Sequence, residues 1–416
     1  MDLEFNGGST VGSVKVPPSK SYTHRAILMA ALSGGTCRIS NPLDSFDTRA
    51  TADAVRSMGA KVEDADGGLL ISSNGLHAPD RTIDVLNSGT TMRLMAGIAA
   101  LFDSETTITG DESIRKRPMG PLLEALEGCG VECGSNDGKA PITIRGPVKS
   151  DRIEIDGSIS SQFVSSMLMM SPLVGRPMDI VLTGKTVSRP YIDVTTLMMG
   201  RFGIDVKEAQ NGFHIEPQRY VPCDYAVPSD FSSSAFPLVA GGLSGKVSVD
   251  GLDMSDPQGD KRIVDILRDV GCDVEVSGGR VTCSAAGRPR ACDVDMSDIP
   301  DLFPIVAVLM STAEGTSRLY GAPQLRFKES DRIASVEKML STLGADIRGT
   351  DDGCVINGVK RLKGGRIEHG GDHRLMMSAA VASLISDGPV LMEDDGCWNV
   401  SYPGFVEQMR SIGMRC

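Results

Sequence analysis

Six amphipathic helical segments recur along the chain, and each ends at a glycine that a short alternating strand follows. The segment Ile263–Gly271 and the strand Cys272–Val276 show this pattern. Glycine just past a helix C-terminus is a common way for a chain to leave a helix and enter a strand. The six final glycines are Gly59, Gly130, Gly203, Gly271, Gly344 and Gly413, and their successive positions differ by 71, 73, 68, 73 and 69. This spacing predicts six repeated structural units.

A second helical segment in each unit carries small and apolar residues on nearly every side, with little charge. A helix of this kind is buried. These segments are Ala26–Leu32, Thr91–Leu101, Phe163–Met170, Ser232–Ala240, Leu302–Met310 and Leu375–Ile385. Each follows a strand-like run, and these runs are Val14–Val16, Thr82–Val85, Ile153–Ile155, Tyr225–Val227, Cys292–Met296 and Arg366–Glu368. We predict that the strands lie outside and the apolar helices inside.

The length of 416 residues suits two compact domains of three units each better than an open solenoid. The chain is expected to cross between the domains near Cys223–Ser229, between the third and fourth units. Pro17 and Pro18 interrupt the first unit, so its strand is expected to pair away from its own helix. That pairing requires a second crossing.

Charge and cysteine content narrow the function classes. A net charge of −12 and an isoelectric point near 5 argue against non-specific binding to nucleic acid or anionic membranes. The ten cysteines show no zinc-like pairing and are interpreted as free thiols in a reducing compartment. With no signal-like N-terminal segment and no apolar run long enough to span a bilayer, we expect a cytoplasmic protein.

The turns before the six buried helices are rich in groups that form hydrogen bonds. They are Ser19-Lys20-Ser21, Asn87–Thr90, Ser160-Ser161-Gln162, Ser229–Ser232, Ile299-Pro300-Asp301 and Gly371–Arg374. Helix capping alone explains Ser229–Ser232. In Asn87–Thr90, however, a glycine at the helix start lets the backbone approach a ligand closely. The three side chains of Ser160–Gln162 exceed what one cap needs.

Several cations stand at loop-to-helix junctions of this acidic chain. They are Lys20, Arg25, Arg117, Lys328, Arg332 and Arg374. Solvated charged faces would explain Ile114–Pro118 and Arg326–Arg332 taken singly. Together the cations could hold two anionic small molecules, with Asp301 and Glu329 as general base and acid. The chain has no Walker sequence and no Gly-x-Gly-x-x-Gly after a strand, so nucleotide use is not indicated.

These motifs resemble the enolpyruvyl transferase family, and within it the 5-enolpyruvylshikimate-3-phosphate synthases. The resemblance covers the whole chain through Pro-Ser-Lys-Ser-x-x-x-Arg at Lys20, Asn-Ser-Gly-Thr-x-x-Arg at Asn87, Arg-Pro-Met-Gly at Arg117, Ser-Ser-Gln at Ser160, Ser-Arg-Pro-Tyr at Ser188, Ile-Pro-Asp at Asp301, Lys-Glu-Ser-Asp-Arg at Lys328 and Asp-His-Arg at Asp372. It implies an α/β (α+β) fold of two similar domains, each an inside-out barrel of three βαβαββ repeats around buried parallel helices. The implied domains are 20–227 and 1–19 with 228–416, with hinges near 16–19 and 226–229 that close on substrate.

The resemblance also implies a reaction, in which the enolpyruvyl group of phosphoenolpyruvate passes to the 5-hydroxyl of shikimate 3-phosphate on the route to chorismate and aromatic amino acids. Matching positions assign shikimate 3-phosphate to Lys20, Ser21, Arg25, Ser160, Ser161, Gln162, Ser188, Tyr191, Asp301, Gln324 and Lys328. They assign phosphoenolpyruvate to Lys20, Gly89, Arg117, Gln162, Arg332 and Arg374. Asp301, Glu329 and Lys20 are the implied catalytic residues. No metal, organic cofactor, nucleic acid or membrane partner is implied, and a monomer is expected.

The chain departs from the family pattern at several positions, and Gln324 is one, since the family often has asparagine there. Val400 stands where many members carry a lysine that contacts phosphoenolpyruvate, and Arg189 stands where lysine is common. The family is the target of glyphosate, a phosphoenolpyruvate mimic; Gly89 matches the sensitive pattern, whereas Leu94 and Val400 depart from common members.

Two other functions stay open at this point. The related enzymes that transfer enolpyruvate to a UDP-sugar (UDP-N-acetylglucosamine) typically have Lys-Asn at the first turn and a reactive cysteine before the Arg-Pro motif. This chain has Lys20-Ser21, and its loop Gly110–Arg117 contains no cysteine. A non-catalytic repeat protein that binds phosphorylated ligands would not need Asp301 and Glu329 beside six cations.

Overall fold

The computed structural model describes residues 2–416, which divide into two compact units. One unit contains residues up to Pro17 together with Pro228–Cys416, and the other contains Pro18–Val227. We call them the terminal unit and the central unit. The chain passes between them at Pro17–Pro18 and again at Val227–Pro228.

Twelve α-helices and 23 strands lie within residues 2–416. The helices are α1 (Lys20–Leu32), α2 (Phe46–Ser57), α3 (Gly89–Ala99), α4 (Gly120–Gly128), α5 (Ser161–Met170), α6 (Arg189–Arg201), α7 (Phe231–Ser244), α8 (Ile263–Asp269), α9 (Phe303–Met310), α10 (Arg332–Thr342), α11 (His373–Ala382) and α12 (Phe405–Ser411). Short 3-10 turns span Ile114–Lys116, Ser171–Leu173, Gly259–Arg262, Pro300–Leu302, Pro323–Phe327, Ser383–Ile385 and Cys397–Val400.

The strands are β1 (Asp2–Phe5), β2 (Val11–Lys15), β3 (Thr36–Ser40), β4 (Lys61–Ala65), β5 (Gly68–Ser72), β6 (Ile83–Asp84), β7 (Thr106–Thr109), β8 (Glu132–Asn136), β9 (Lys139–Arg145), β10 (Arg152–Asp156), β11 (Met178–Thr183), β12 (Lys207–Ala209), β13 (Gly212–Ile215), β14 (Tyr225–Ala226), β15 (Lys246–Asp250), β16 (Asp273–Ser277), β17 (Arg280–Ser284), β18 (Val294–Asp295), β19 (Thr316–Tyr320), β20 (Asp346–Thr350), β21 (Gly353–Asn357), β22 (Gly365–Ile367) and β23 (Val390–Glu393).

One sheet topology is repeated in both units. The central unit has the sheets β14-β3-β5-β4, β6-β7-β9-β8 and β10-β11-β13-β12, each with a parallel first pair and two antiparallel pairs after it. The terminal unit repeats this order in β2-β15-β17-β16 and β18-β19-β21-β20. Its third sheet, β22-β23-β1, has three strands. The βαβαββ repeat is confirmed by the five four-stranded sheets; in the sixth unit no strand follows α12 within the described residues, and β1 provides the third strand of the sheet.

The strands beside the two crossings are exchanged between repeats. β2 pairs in parallel with β15, where Val14 lies opposite Val249. β14, which precedes α7 in sequence, pairs instead with β3 of the central unit, where Tyr225 lies opposite Ile39. The prediction that the first strand pairs away from its own helix is therefore confirmed. In each unit, one strand next to a crossing pairs with a strand far away in sequence: β2 with β15, and β14 with β3. The crossings therefore adjoin strands that each fold needs.

Six helices form the interior of the two units, as the apolar segments predicted. Every residue of α9 and α11 is buried, and so is α1 from Tyr22 to Leu32. The helices α1, α3 and α5 contribute to the core of the central unit, and α7, α9 and α11 to that of the terminal unit. Among residues 2–416, no helix combines the length and the apolar character that crossing a membrane requires.

The helix boundaries differ slightly from the sequence prediction because of capping. The N-terminus of α11 lies at His373, two residues earlier than predicted, since the Asp372 carboxylate accepts hydrogen bonds from the amides of Arg374 and Leu375. Its last predicted turn is 3-10 helix, Ser383–Ile385. Asp230 caps α7 by accepting from the Ser233 amide at 2.9 Å, so capping does explain Ser229–Ser232.

All six glycines that mark the repeat have positive φ, between +79° and +106°. An L-residue with a side chain rarely adopts this backbone conformation. At Gly203 a Cβ atom would also meet Val221 Cγ2 at 2.9 Å. The periodic glycines are therefore a backbone requirement of the repeat.

We expect Gly203→Ala to lower the free energy of unfolding by about 1–2 kcal/mol, because alanine is strained at positive φ and meets Val221. The matched control is Gly200→Ala, which lies inside α6, the helix that Gly203 follows, and has open space around the added carbon. It should be neutral or stabilising by up to about 1 kcal/mol. Urea denaturation followed by circular dichroism measures both, and equal effects of the two substitutions would contradict the interpretation.

Candidate active site

Lys20 is the first residue of α1, and its ammonium group forms an ion pair with Asp47 at 3.0 Å. The lysine side chain is 14% exposed and that of Asp47 only 6%. Ser19 occupies the N-cap position but makes no capping hydrogen bond through its side chain. The start of α1 thus combines a lysine with backbone amides to which the Ser19 side chain does not bond. This combination suits an anionic ligand.

Behind this helix start, a buried chain of hydroxyl groups extends from His24. His24 Nδ1 lies 2.6 Å from Thr51 Oγ1, which lies 2.6 Å from Thr91 Oγ1. Burial, with added repulsion from the charges of Lys20 and Arg25, lowers the pKa of His24 well below its ordinary value. The ring is therefore neutral and holds α1, α2 and α3 together.

Arg25 lies deeper than the sequence suggested, with 1% of its surface exposed. Its guanidinium donates to Thr195 Oγ1 at 2.8 Å, to Ser165 Oγ at 3.2 Å and to the carbonyl oxygens of Ser21 and Tyr191. Burial lowers its pKa to about 10, so it remains charged at neutral pH. These bonds tie α1 to α5 and α6, and a direct contact of Arg25 with substrate stays a prediction.

The turn before α5 is connected to the turn before α3. Gln162 Oε1 accepts from Arg93 Nη1 at 2.8 Å, and Gln162 Nε2 donates to Thr90 Oγ1 at 2.9 Å. Ser160 caps α5 by accepting from the Gln162 amide at 3.3 Å, and Ser161 is 4% exposed. The structure therefore brings together two of the three predicted polar turns of this unit.

Arg117 and Gly89 are in close contact. A Cβ atom on Gly89 would lie 2.5 Å from Arg117 Nη1. The other terminal nitrogen of Arg117 donates to Asn87 Oδ1 at 3.2 Å and to Ser113 Oγ at 3.3 Å. The absence of a side chain at position 89 is what allows the guanidinium to lie against the N-terminus of α3.

Ser188, before α6, has a left-handed backbone with φ of +55° and makes no capping hydrogen bond with its side chain. Strain of this kind in a residue other than glycine is found preferentially at functional positions. Ser188 is 4% exposed, and Tyr191 follows in the first turn of the helix. Both positions are compatible with their predicted role.

The terminal unit contains a cluster of charges around Asp301, which lies in the turn before α9. Asp301 Oδ1 is 2.8 Å from Arg332 Nη1, and Asp301 Oδ2 is 3.1 Å from Arg374 Nη2. Lys328 Nζ lies 4.0 Å from Asp301 Oδ1. Although burial raises the pKa of Asp301, the charges of Arg374, Lys328 and Arg332 outweigh it and hold the pKa well below its ordinary value. The carboxylate is ionised and three predicted cations surround it.

Arg332 is the buried centre of this cluster. With a side chain 1% exposed, it donates to Asp372 at 3.0 Å, to Asp301 at 2.8 Å and to Glu329 at 2.7 Å. A further bond joins Nη2 to Asp372 Oδ1 at 3.4 Å. These contacts use four of the five guanidinium N–H groups. Arg332 is thus primarily the group that positions three carboxylates, and its contact with phosphoenolpyruvate stays a prediction.

Gln324 is almost fully buried and keeps an acceptor available. Its Nε2 donates to the Ser297 carbonyl at 3.2 Å, while its Oε1 has no hydrogen-bond partner in the described part of the chain. An unpaired buried amide oxygen is costly unless a ligand satisfies it. A substrate hydroxyl is a suitable donor.

Comparison with known proteins fits this geometry. The family described as EPSP synthase (3-phosphoshikimate 1-carboxyvinyltransferase) matches residues 6–409. The chain belongs to the EPSP synthase family. The 3-phosphoshikimate 1-carboxyvinyltransferase of Methanocorpusculum labreanum is 46% identical over 99% of both chains. That of Methanocaldococcus jannaschii is 40% identical over 97% of this chain and 96% of its own. A solved EPSP synthase from Acinetobacter baumannii superposes with a TM-score of 0.81 at 28% identity, covering 99% of this chain and 98% of its own.

As a member of the EPSP synthase family, the chain is an enolpyruvyl transferase. Sequence reasoning nevertheless missed Asp47 and Asp260, and assigned no role to Arg93 or Asp372. Asp372 was visible in the Asp-His-Arg motif, and Arg93 in the Asn-Ser-Gly-Thr-x-x-Arg motif. Asp47 and Asp260 carry no local signal, because only the fold brings Asp47 to Lys20 and Asp260 to the Asp301 cluster.

Asp260 is a buried carboxyl group next to the Asp301 cluster. It is 3% exposed, accepts a short hydrogen bond from Ser232 Oγ, and leaves Oδ1 without a partner in the described residues. Burial, with repulsion from Asp301, raises its pKa to about 7, against the opposing charge of Arg374. Asp260 therefore holds a proton at mildly acidic pH that an unfolded chain would release.

This raised pKa predicts a pH-dependent stability. The neutral form of Asp260 stabilises the folded state fully below pH 4, and this contribution is lost as pH rises through about 7. Wild type should lose about 2 kcal/mol relative to Asp260→Asn between pH 5 and pH 7, at up to about 1.4 kcal/mol per pH unit. The fluorescence of Trp398, the single tryptophan and part of the same unit, reports urea unfolding. Parallel pH dependences of the two proteins would contradict the assignment.

Proposed function

We propose that the chain transfers the enolpyruvyl group of phosphoenolpyruvate to the 5-hydroxyl of shikimate 3-phosphate, and that it does so with the residues described above. The observation that carries this proposal is the ionised Asp301 held among Arg332, Arg374 and Lys328 in a member of the EPSP synthase family. The reaction joins two anions and passes through a more highly charged intermediate. Preorganised cations are the most effective catalytic element for such a step.

We assign the substrates as follows. Shikimate 3-phosphate is bound by Lys20, Ser21, Arg25, Ser160, Ser161, Gln162, Ser188, Tyr191, Asp301, Gln324 and Lys328. Phosphoenolpyruvate is bound by Lys20, Gly89, Arg117, Gln162, Arg332 and Arg374. All of these residues belong to one chain, so we expect a monomer to be active.

Asp301 acts as the base for the 5-hydroxyl in this proposal. In the structure its carboxylate is a weak base, because its pKa lies well below the ordinary value. An anionic substrate beside Arg374 and Lys328 would share their charge, which would raise the pKa of Asp301 toward a useful value. The base would thus gain strength only when the second anion is bound.

Proton transfers complete the reaction. The hydroxyl oxygen attacks the enolpyruvyl carbon while its proton passes to Asp301, and the adjacent methylene carbon takes a proton from Glu329 or Lys20. The same group then takes a proton back from the resulting methyl group, which restores the double bond as the bond to the phosphate oxygen breaks, and Asp301 gives its proton to the departing phosphate. Glu329 lies 2.7 Å from Arg332, which also contacts Asp301, so one buried guanidinium positions both carboxylates.

The decisive experiment is a phosphate-release assay with both substrates, comparing wild type with Asp301→Asn. The amide keeps the shape and one acceptor but cannot take a proton, so we expect turnover to fall about 10³-fold or more. Asp346→Asn, at an exposed position in the same unit, is the control and should retain full turnover.

A protein that only binds phosphorylated ligands would release no phosphate in any of the three forms. Calorimetric titration with shikimate 3-phosphate separates the outcomes, because a binding protein would still bind this ligand. Asp301→Asn turnover above a tenth of wild type would disprove the assigned base.

A second prediction concerns Gly89. Alanine at this position should push Arg117 Nη1 away from the N-terminus of α3, since the added carbon would lie 2.5 Å from it. We expect the KM for phosphoenolpyruvate to rise about tenfold, equivalent to about 1.4 kcal/mol, with a much smaller change for shikimate 3-phosphate. The control is Gly128→Ala, which has open space around the added carbon and should leave both KM values unchanged. Gly97→Ala is unsuitable, because its added carbon would meet the Ser166 backbone. Equal changes in the two KM values would contradict the proposed role of Arg117.

A further inference from the structure

Two loops of the terminal unit bring a histidine, an aspartate and a cysteine together. His369 follows β22, and Asp395 and Cys397 follow β23, its parallel neighbour. His369 Nδ1 lies 3.8 Å from Asp395 Oδ2 and 3.7 Å from Cys397 Sγ. All three ligand atoms lie within 4.8 Å of one another. The carboxyl ends of two adjacent parallel strands thus present one nitrogen, one oxygen and one sulfur to the same point.

These separations match the geometry of a metal site. Tetrahedral zinc, with bonds of about 2.1 Å to nitrogen and about 2.3 Å to sulfur, places these two atoms about 3.6 Å apart. The nitrogen and a carboxylate oxygen would be about 3.4 Å apart. Small movements of the Asp395 side chain, which is 37% exposed, would complete the arrangement.

The backbone already orients two of the three ligands. His369 Nε2 lies 3.0 Å from the Glu393 carbonyl oxygen, and the Gly371 amide donates to Nδ1 at 3.2 Å. Nε2 therefore carries the proton and Nδ1 the lone pair, which is the tautomer that a metal needs, with the second nitrogen fixed as in known sites. The Cys397 amide donates to Asp395 Oδ1 at 2.9 Å, which leaves Oδ2 to face the histidine.

The same geometry argues against a catalytic cysteine. In a nucleophilic triad the base uses one ring nitrogen for the thiol and the other for the carboxylate. Here thiol and carboxylate both face Nδ1, and Nε2 is bound to a backbone carbonyl. The imidazole, carboxylate and thiol groups therefore converge on one point, as the ligands of a metal ion do.

Local charge and flexibility also favour a cation. Glu393, Asp394 and Asp395 are consecutive, and no lysine or arginine occurs between positions 390 and 409. A metal would displace the Gly371 amide from Nδ1. No atom lies within 4 Å of where a Cβ on Gly370 or Gly371 would stand, so this turn has room for the displacement.

We propose that His369, Asp395 and Cys397 bind one divalent transition-metal ion, with zinc the best match, and leave its fourth position to water. Imidazole, carboxylate and thiolate together are typical zinc ligands. Binding converts the Cys397 thiol to a thiolate, and its proton passes to the buffer. The Asp372 amide donates to the His369 carbonyl at 3.0 Å, so the ion would also fix the turn that leads to Asp372 and Arg374.

The test titrates the full chain, reduced and freed of metal, with Co²⁺ alone and with Zn²⁺ alone. Wild type should bind one ion, and cobalt should give a thiolate charge-transfer band together with the visible bands of a tetrahedral complex. Cys397→Ser should lose the charge-transfer band and weaken zinc binding at least about 100-fold, and His369→Gln should weaken it similarly. Asp395→Asn should retain the band with altered visible absorption.

Two controls separate this site from other groups. Cys223→Ser removes a half-buried thiol elsewhere, and His214→Gln removes a histidine that contacts Asp179 and Glu216. Both should bind cobalt as wild type does. Absence of the band in wild type, or its persistence in Cys397→Ser, would overturn the proposal. Thermal unfolding without metal verifies that each variant is folded; should Cys397→Ser not fold, loss of the band in His369→Gln decides in its place.

Discussion

The terminal unit depends on one buried cation. Arg332 is enclosed by Asp301, Glu329 and Asp372, and a buried guanidinium would be strongly destabilising if these carboxylates were removed. The three acids come from the turn before α9, the loop before α10 and the cap of α11. One ion network therefore fixes the relative positions of three helix starts. It also orients Asp301 and Glu329, the two carboxylates proposed to transfer protons. Because Arg332 both stabilises the terminal unit and positions the proposed catalytic carboxylates, its substitution would lower stability and turnover together.

The repeat was predictable because it rests on local rules. A glycine at positive φ follows each of the six amphipathic helices, at Gly59, Gly130 and four later positions. The buried helices were equally visible from their apolar surfaces. The exchange of β2 and β14 was half visible: Pro17-Pro18 showed that β2 could pair elsewhere, but nothing local to Tyr225 indicates that β14 joins β3. The pairing of strands far apart in sequence depends on how the whole sheet assembles, and no short stretch of sequence shows it.

The same distinction separates the predicted site residues from the missed ones. Lys20, Gln162 and Asp301 stand in the turns before buried helices, where the sequence already placed the candidate site. Asp260 stands in a short 3-10 turn with ordinary composition, and its importance comes from burial beside Asp301 and Arg374. Arg25 shows the opposite case. Its motif predicted a contact with shikimate 3-phosphate, which stays a prediction, whereas its role in joining α1 with α5 and α6 is visible only in the fold.

The cluster at His369 shows why spacing rules for metals miss sites built from sheet edges. The ligands are separated by 26 and 2 positions, and no pair of cysteines marks them. They meet because β22 and β23 are parallel neighbours, whose following loops emerge at one edge. The carbonyl oxygen of His369 also accepts a hydrogen bond from the amide of Asp372, and the Asp372 side chain caps α11 and binds Arg332. An ion held by the two loops would therefore act on the Arg332 network through a single turn of backbone, without contacting substrate.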